Sequence, residues 1–186
     1  MSVDQCVALV RRAVARVTEQ VNAGNFSDFN EATIQHHLAF QLHLDAVFQR
    51  GHDLDITLEK KIRRAAGNFP KKNRATANID IFFQLPDDGT RCAVELKCFH
   101  YANHREPNNR YDVYADLANL EIYLEEHADV GVFVLFTDHR HYFDNTYRAM
   151  RPATSGFNTR EGHQYHVGTE LVYDTVDPYG PPPHPK

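Results

Sequence analysis

The chain has no tryptophan, only three cysteines in 186 residues, and no apolar run long enough to cross a bilayer. Each lack excludes something. The odd cysteine count, with no Cys-x-x-Cys, argues against a disulfide framework, and Cys92 and Cys98 lie too far apart along one predicted strand to bridge each other. Reduced, packed thiols are expected. The opening Met1-Ser2-Val3-Asp4-Gln5 lacks the charged-then-apolar pattern of a signal peptide, so a soluble, cytoplasmic protein is expected, with no membrane partner. No His-Glu-x-x-His and no Gly-x-Ser-x-Gly occurs, which removes the usual sequence marks of a zinc protease and of a nucleophile elbow. Twelve histidines include the pairs His36/His37, His100/His104, His139/His141 and His163/His166, none with the cysteine partners of a structural zinc site. No internal repeat is visible. What remains is an ordinary globular composition, 42% hydrophobic and 24% charged, at a length that suits one domain with its own core.

The richest stretch runs from residue 78 to 97. Asn78-Ile79-Asp80-Ile81-Phe82-Phe83 and Arg91-Cys92-Ala93-Val94-Glu95-Leu96-Lys97 flank Pro86-Asp87-Asp88-Gly89, the composition of two antiparallel strands and their turn. A turn centred between Asp87 and Asp88 sets Asp80 opposite Glu95. Like charges directly opposed across strands are destabilising unless something positive stands between them. A divalent cation is one candidate, and an ordinary cross-strand ion pair on a solvated sheet face is the plainer alternative. Side chains alternate with period two, so Ala93, Glu95 and Lys97 share one face, while Cys92, Val94, Leu96 and Cys98 line the other. Two carboxylates suit Mg2+, which binds through one or two of them plus water and phosphate. Such an ion and a nearby amine can together activate and orient water for phosphodiester hydrolysis.

Asp80, a turn, then Glu95-Leu96-Lys97 resembles the core signature of the PD-(D/E)XK nuclease superfamily. The proline that names the motif is replaced by Ile79. The resemblance spans about Asn30 to Asp138 as an order of elements. It implies an α/β, restriction-endonuclease-like mixed β-sheet flanked by helices, in a single domain. It also implies a Mg2+ cofactor, replaceable by Mn2+, held by Asp80, Glu95, the Leu96 carbonyl and an acid on a preceding helix, for which Glu31 is the candidate. Asp80, Glu95, Lys97 and Glu31 are the implied catalytic set, with Lys97 serving the attacking water. The implied activity is DNA cleavage of restriction or defence type, by a homodimer or a subunit of a larger complex. RNA as substrate, and a non-catalytic nucleic-acid-binding or assembly subunit with this fold, are the alternatives. A second Glu-x-Lys, at Glu59-Lys60-Lys61, has Asp53 and Asp55 too close upstream for a hairpin.

A net charge of −5 is unusual for a DNA-binding protein, because affinity for DNA comes largely from phosphate neutralisation. Distribution offsets it. Lys60, Lys61, Arg63, Arg64, Lys71, Lys72 and Arg74 form a basic stretch free of acids, the candidate nucleic-acid-binding surface; a solvated loop or an edge-strand guard is the alternative.

Along the chain, Val7, Val10, Val14 and Val17 with Arg11, Arg12 and Arg16 between them predict an amphipathic helix over 3–22. A second helix starts near Asp28 or Asn30 and runs to about Gln49, with Ile34, Leu38 and Leu42 as its stripe. There Asp28 and Glu31 also fit a capping box, so Glu31 is a helix cap, a metal ligand, or both. Leu54 to Glu59 alternates as a strand, and Asn103 to Asn109 reads as a loop over the site. Tyr111 to His127 places Val113, Leu117, Leu120 and Leu124 on one helical face, and Val130 to Phe136 is a strand covered on both sides. Strand, helix, strand predicts that the Glu95 and Val130 strands are parallel. Further on, His139, Arg140, His141, Arg148, Arg151 and Arg160 are candidate phosphate contacts or scattered solvated charges. A late hairpin is expected across Gly168. The nuclease-like domain is set at 1–176, followed by a proline-rich tail over 177–186.

Overall fold

The computed structural model describes residues 2–26, 28–50, 53–103, 105–147, 156–160, 162–164 and 171. The late hairpin, Arg148, Arg151, His104, His166 and the proline-rich tail lie outside the described residues. Helix α1 spans Ser2–Asn22 and α2 spans Glu31–Arg50; then follow strands β1 (Asp55–Arg63), β2 (Thr76–Gln84) and β3 (Arg91–Phe99), helix α3 (Glu106–Glu126) and strand β4 (Val130–Thr137). The strands lie in the order β1-β2-β3-β4, the first two pairs antiparallel and β3–β4 parallel, as the strand-helix-strand order predicts. The architecture is α/β: one mixed four-stranded sheet with helices on both faces. No described helix is long and apolar enough to cross a membrane.

Two cores explain the layers. On one face Ile81, Phe83, Cys92, Val94 and Leu96 pack under α1 and α2, using Leu9, Val10, Val17, Ile34, Leu38 and Leu42. On the other, Ile62, Ile79, Phe82 and Ala93 pack under α3 through Leu120, Ile122 and Tyr123. The arginines of α1 are not only a solvated face. Arg12 and Arg16 reach the buried carboxylate of Asp45 on α2, at 3.2 and 2.6 Å. None of the three cysteines is in a disulfide.

The β2–β3 turn has the chemistry its residues promise. Gly89 takes φ of 72°, open to glycine without the steric cost other residues meet, and Asp88 Oδ1 accepts from the Thr90 amide and hydroxyl at 3.0 and 2.7 Å. The register follows: Phe83 faces Cys92, Phe82 faces Ala93, and Ile81 faces Val94.

The β1–β2 ladder skips one position. Leu58 pairs with Ile81 and Lys60 with Ile79, but Glu59 and Asp80 between them are unpaired, and Glu59 takes φ of 51°. A non-glycine residue there is uncommon and carries strain of roughly 1–3 kcal/mol. Regular alternation would put Ile79 on the face of Ile81, yet Ile79 belongs to the α3 core and Ile81 to the other. Both strands therefore turn over at this kink, and Asp80 sits at its centre.

Two helix starts differ from expectation. Asn30, not Asp28, caps α2: its Oδ1 accepts from the Thr33 amide at 3.0 Å. Glu31 is thus released from the capping box. Asn30→Ala should cost about 1 kcal/mol, read as a lower urea midpoint at unchanged slope. Helix α3 begins at Glu106 rather than near Tyr111, so most of the expected 103–109 loop is a 3-10 turn (Tyr101–Asn103) and the helix's first turn. A proline in that first turn is compatible with helix, because its missing N–H would find no intrahelical partner there.

Candidate functional site

A cleft of about 450 Å3 opens at the kink, between α2, the β1–β2 end of the sheet and α3. Glu31, Asp80, Glu95 and Lys97 all line it, so the kink, the hairpin and the start of α2 bring four expected site residues together. Of the basic stretch, Lys61, Lys71, Lys72 and Arg74 line it too. Lys60, Arg63 and Arg64 do not. Lys60 lies over the Phe82 ring, 3.1 Å from its centre, and Arg64 is engaged with the Asn68 carbonyl at 3.1 Å and Glu125 at 3.4 Å.

The ladder between β2 and β3 ends at Ile81 and Val94, one pair short of Asp80 and Glu95. Instead the Leu96 amide donates to Asp80 Oδ2 at 2.7 Å, so the aspartate side chain takes a hydrogen bond from the neighbouring strand. Gln35, one turn beyond Glu31, fixes the kink from above by donating to the Asp80 carbonyl at 2.6 Å and to Glu59 Oε1 at 2.9 Å. Lys97 Nζ donates to the Leu96 carbonyl at 2.7 Å and to the two Glu31 oxygens at 3.3 and 3.4 Å. Leu96 turns its side chain into the α1/α2 core, while its amide and carbonyl engage Asp80 and Lys97.

The motif reading misses several residues of this cleft. Asp116, Asn119 and Tyr123 sit on α3 at spacings of three and four, on a face that also buries Asp116 and Asn119. Tyr123 lines the cleft beside Glu95, and Asp116 pairs with both Lys71 and Lys97, the latter at 3.5 Å. That polar spacing was the available signal. Glu59 lines the cleft as well, although its own Glu-x-Lys has no hairpin.

The cleft is graded from rim to floor. Lys61, Lys72 and Arg74 are exposed at the rim, and Glu95 and Asp116, 3% and 1% exposed, form the floor. Burial, then the charges of Asp80 and Asp116, push the Glu95 carboxyl up to about 9, against the opposing pull of Lys71 and Tyr123. Burial raises Asp80 too, while the Leu96 amide and Lys97 favour its ionised form. Burial works against the Lys97 ammonium, but Asp116, Glu31 and Asp80 outweigh it and hold its pKa at about 12. The compensation expected of a dication is therefore supplied partly by two lysines and by a proton on Glu95.

Among the described residues, no three His, Cys, Asp or Glu side chains converge closely enough to cage an ion by themselves. Mg2+ does not need such a cage. Glu95 Oε1 is buried without a hydrogen-bond partner, Asp80 has a second oxygen beyond the one taken by Leu96, and the Leu96 carbonyl keeps a lone pair beside its bond to Lys97. This donor set is all oxygen and fits a hard dication. Compared with protein-family models, with curated proteins and with solved structures, the chain finds no match.

Proposed function

We propose that the protein is a Mg2+-dependent nuclease with a restriction-endonuclease-like fold, of the PD-(D/E)XK kind, that hydrolyses phosphodiester bonds in DNA. The observation that carries this reading is the shared floor of the cleft, where Asp80, Glu95 and Lys97 meet under a basic rim. Asp80, Glu95 and the Leu96 carbonyl would hold the ion, with Glu31 completing the set at the mouth. A bound dication would polarise the phosphate and make water more acidic. Lys61, Lys72 and Arg74 meet the strand's phosphates, an arrangement a local positive patch supports even in an acidic protein. Lys97, with its donors already directed at oxygen acceptors, aligns the attacking water rather than stripping its proton. The water oxygen bonds to phosphorus, the bond to the leaving sugar oxygen breaks, and that oxygen ends protonated. A restriction or defence role, and assembly as a homodimer or within a larger complex, go with this reading by analogy of fold alone.

Supercoiled plasmid, linear duplex, single strands and RNA incubated with Mg2+, Mn2+ or EDTA test it. DNA should be cut with either metal and spared in EDTA, and Asp80→Ala and Lys97→Ala should each lose about a hundredfold or more. Equal activity in those variants removes the residues from the mechanism. Absence of cleavage, with no Mn2+ uptake dependent on Glu95, makes the protein a non-catalytic binding or assembly subunit.

A further inference from the structure

Asp116 stands on α3, outside the motif, and its carboxylate is almost wholly buried. Removing a carboxylate from water is costly unless it is paired, and this one is paired twice. One oxygen meets Lys71 Nζ from the β1–β2 loop. The other lies 3.5 Å from Lys97 Nζ and has no hydrogen bond of its own. Lys97 is a flexible stem whose ammonium is located by what surrounds it. Of the three acids acting on it, Glu31 is 47% exposed and its hold is screened by solvent, Asp80 is partly exposed, and Asp116 is buried.

We propose that Asp116 is a positioning residue: it fixes the Lys97 ammonium over the Asp80–Glu95 pair and, through Lys71, ties the basic loop to the same point. This rests on the nuclease reading above. Lys71 and Lys97 come from different elements, so a phosphate engaged at the loop and the amine at the floor answer to one carboxylate. Contact with substrate at Lys71 and placement of Lys97 are thereby coupled.

The test combines steady-state cleavage of a DNA duplex, duplex binding by anisotropy in EDTA, and thermal melts. Asp116→Asn should lower kcat about a hundredfold, with KM and binding in EDTA within about threefold of wild type or tighter, because a negative charge has left the cleft. Asp116→Glu should recover at least about tenfold of that loss. In the Lys97→Met background, Asp116→Asn should slow cleavage little further, since residues acting as a unit are not additive. A kcat within about threefold of wild type in Asp116→Asn, or a raised KM at unchanged kcat, overturns the proposal. Should Asp116→Asn not fold, Lys71→Met carries the test: it should weaken binding about tenfold and also lower kcat about fivefold, and an unchanged kcat overturns the tie. A wild-type protein that cuts nothing defeats the nuclease reading instead. The Asp116 assignment is then decided by the melts, where the Asp116→Asn/Lys97→Met double variant must lose less in Tm than its two parents summed, and additive losses overturn it.

Discussion

Glu95→Gln should melt later than wild type at pH 9 in EDTA and cut DNA at least roughly a thousandfold more slowly in Mg2+. The stability half follows from linkage. With a folded pKa of about 9 against an ordinary 4.5, Glu95 keeps its proton in the native state at pH values where the unfolded chain has lost it. Stability falls with pH wherever the native state binds more protons, so this contribution is whole below pH 4.5 and lost as pH rises through 9. Glutamine cannot ionise, and the slope goes with it. At pH 9 the difference should be on the order of a few kcal/mol, as expected when a buried carboxylate is forced to charge beside others. Urea melts of both proteins at pH 5, 7 and 9 provide the measurement, and parallel curves would sink the claim. The activity half rests on the proposed function: a buried carboxylate kept to hold a cation would destabilise the fold when none is bound.

Arg110→Met should be the most damaging single change away from the cleft. Arg110 is 0% exposed and sits in the first half of α3, donating to the carbonyls of His141 at 2.6 Å and Phe157 at 3.0 Å and lying over the Tyr142 ring. It thus ties α3 to the 3-10 turn Arg140–Tyr142 and to residues 156–160. Hydrogen bonds from a charged group are worth about 1.5–3 kcal/mol each, and their loss leaves the His141 carbonyl to Arg160 Nε at 3.2 Å. The expected cost is about 3 kcal/mol or more, read as a drop in urea midpoint at unchanged slope. A midpoint shift worth less than about 1 kcal/mol would remove Arg110 from the list of structural anchors. Because α3 also carries Asp116 and Tyr123, cleavage should fall alongside stability.

The hairpin was readable because its information is local. Turn residues 86–89 and the alternation of β3 fix the pairing of Ile81 with Val94, and with it the neighbourhood of Asp80, Glu95 and Lys97. The crossover to β4 was readable for the same reason. The α3 side of the cleft was not. Its apolar positions Val113 and Leu120 announce one packing face, but the helix also buries Asp116, Asn119 and Tyr123 against the floor and leaves Leu124 46% exposed. Polar residues at helical spacing read as solvated until a partner is known, and the partners here lie 19 to 45 positions away in the chain. The cap of α2 was legible in type but not in position, since Asp28 and Asn30 carry the same capping chemistry two residues apart. Glu59 has no upstream hairpin to mark it in the sequence, yet its unusual φ lets β1 follow β2 through the turnover at Asp80.

That shared turnover divides labour along one ribbon. Before it, β1 and β2 are bolted to the α1/α2 side; past it, their far ends, carrying Lys61 and the 64–75 connection, lean with Ile62 and Ile79 toward α3. Pairing partners stay matched on both sides, and the tip of the outer portion is held at two points: Phe69 is buried in the α3 core and Lys71 pairs with Asp116. A different surface is therefore to be introduced at Lys72 and Arg74, which are exposed at the rim, with Phe69 and Lys71 kept in place.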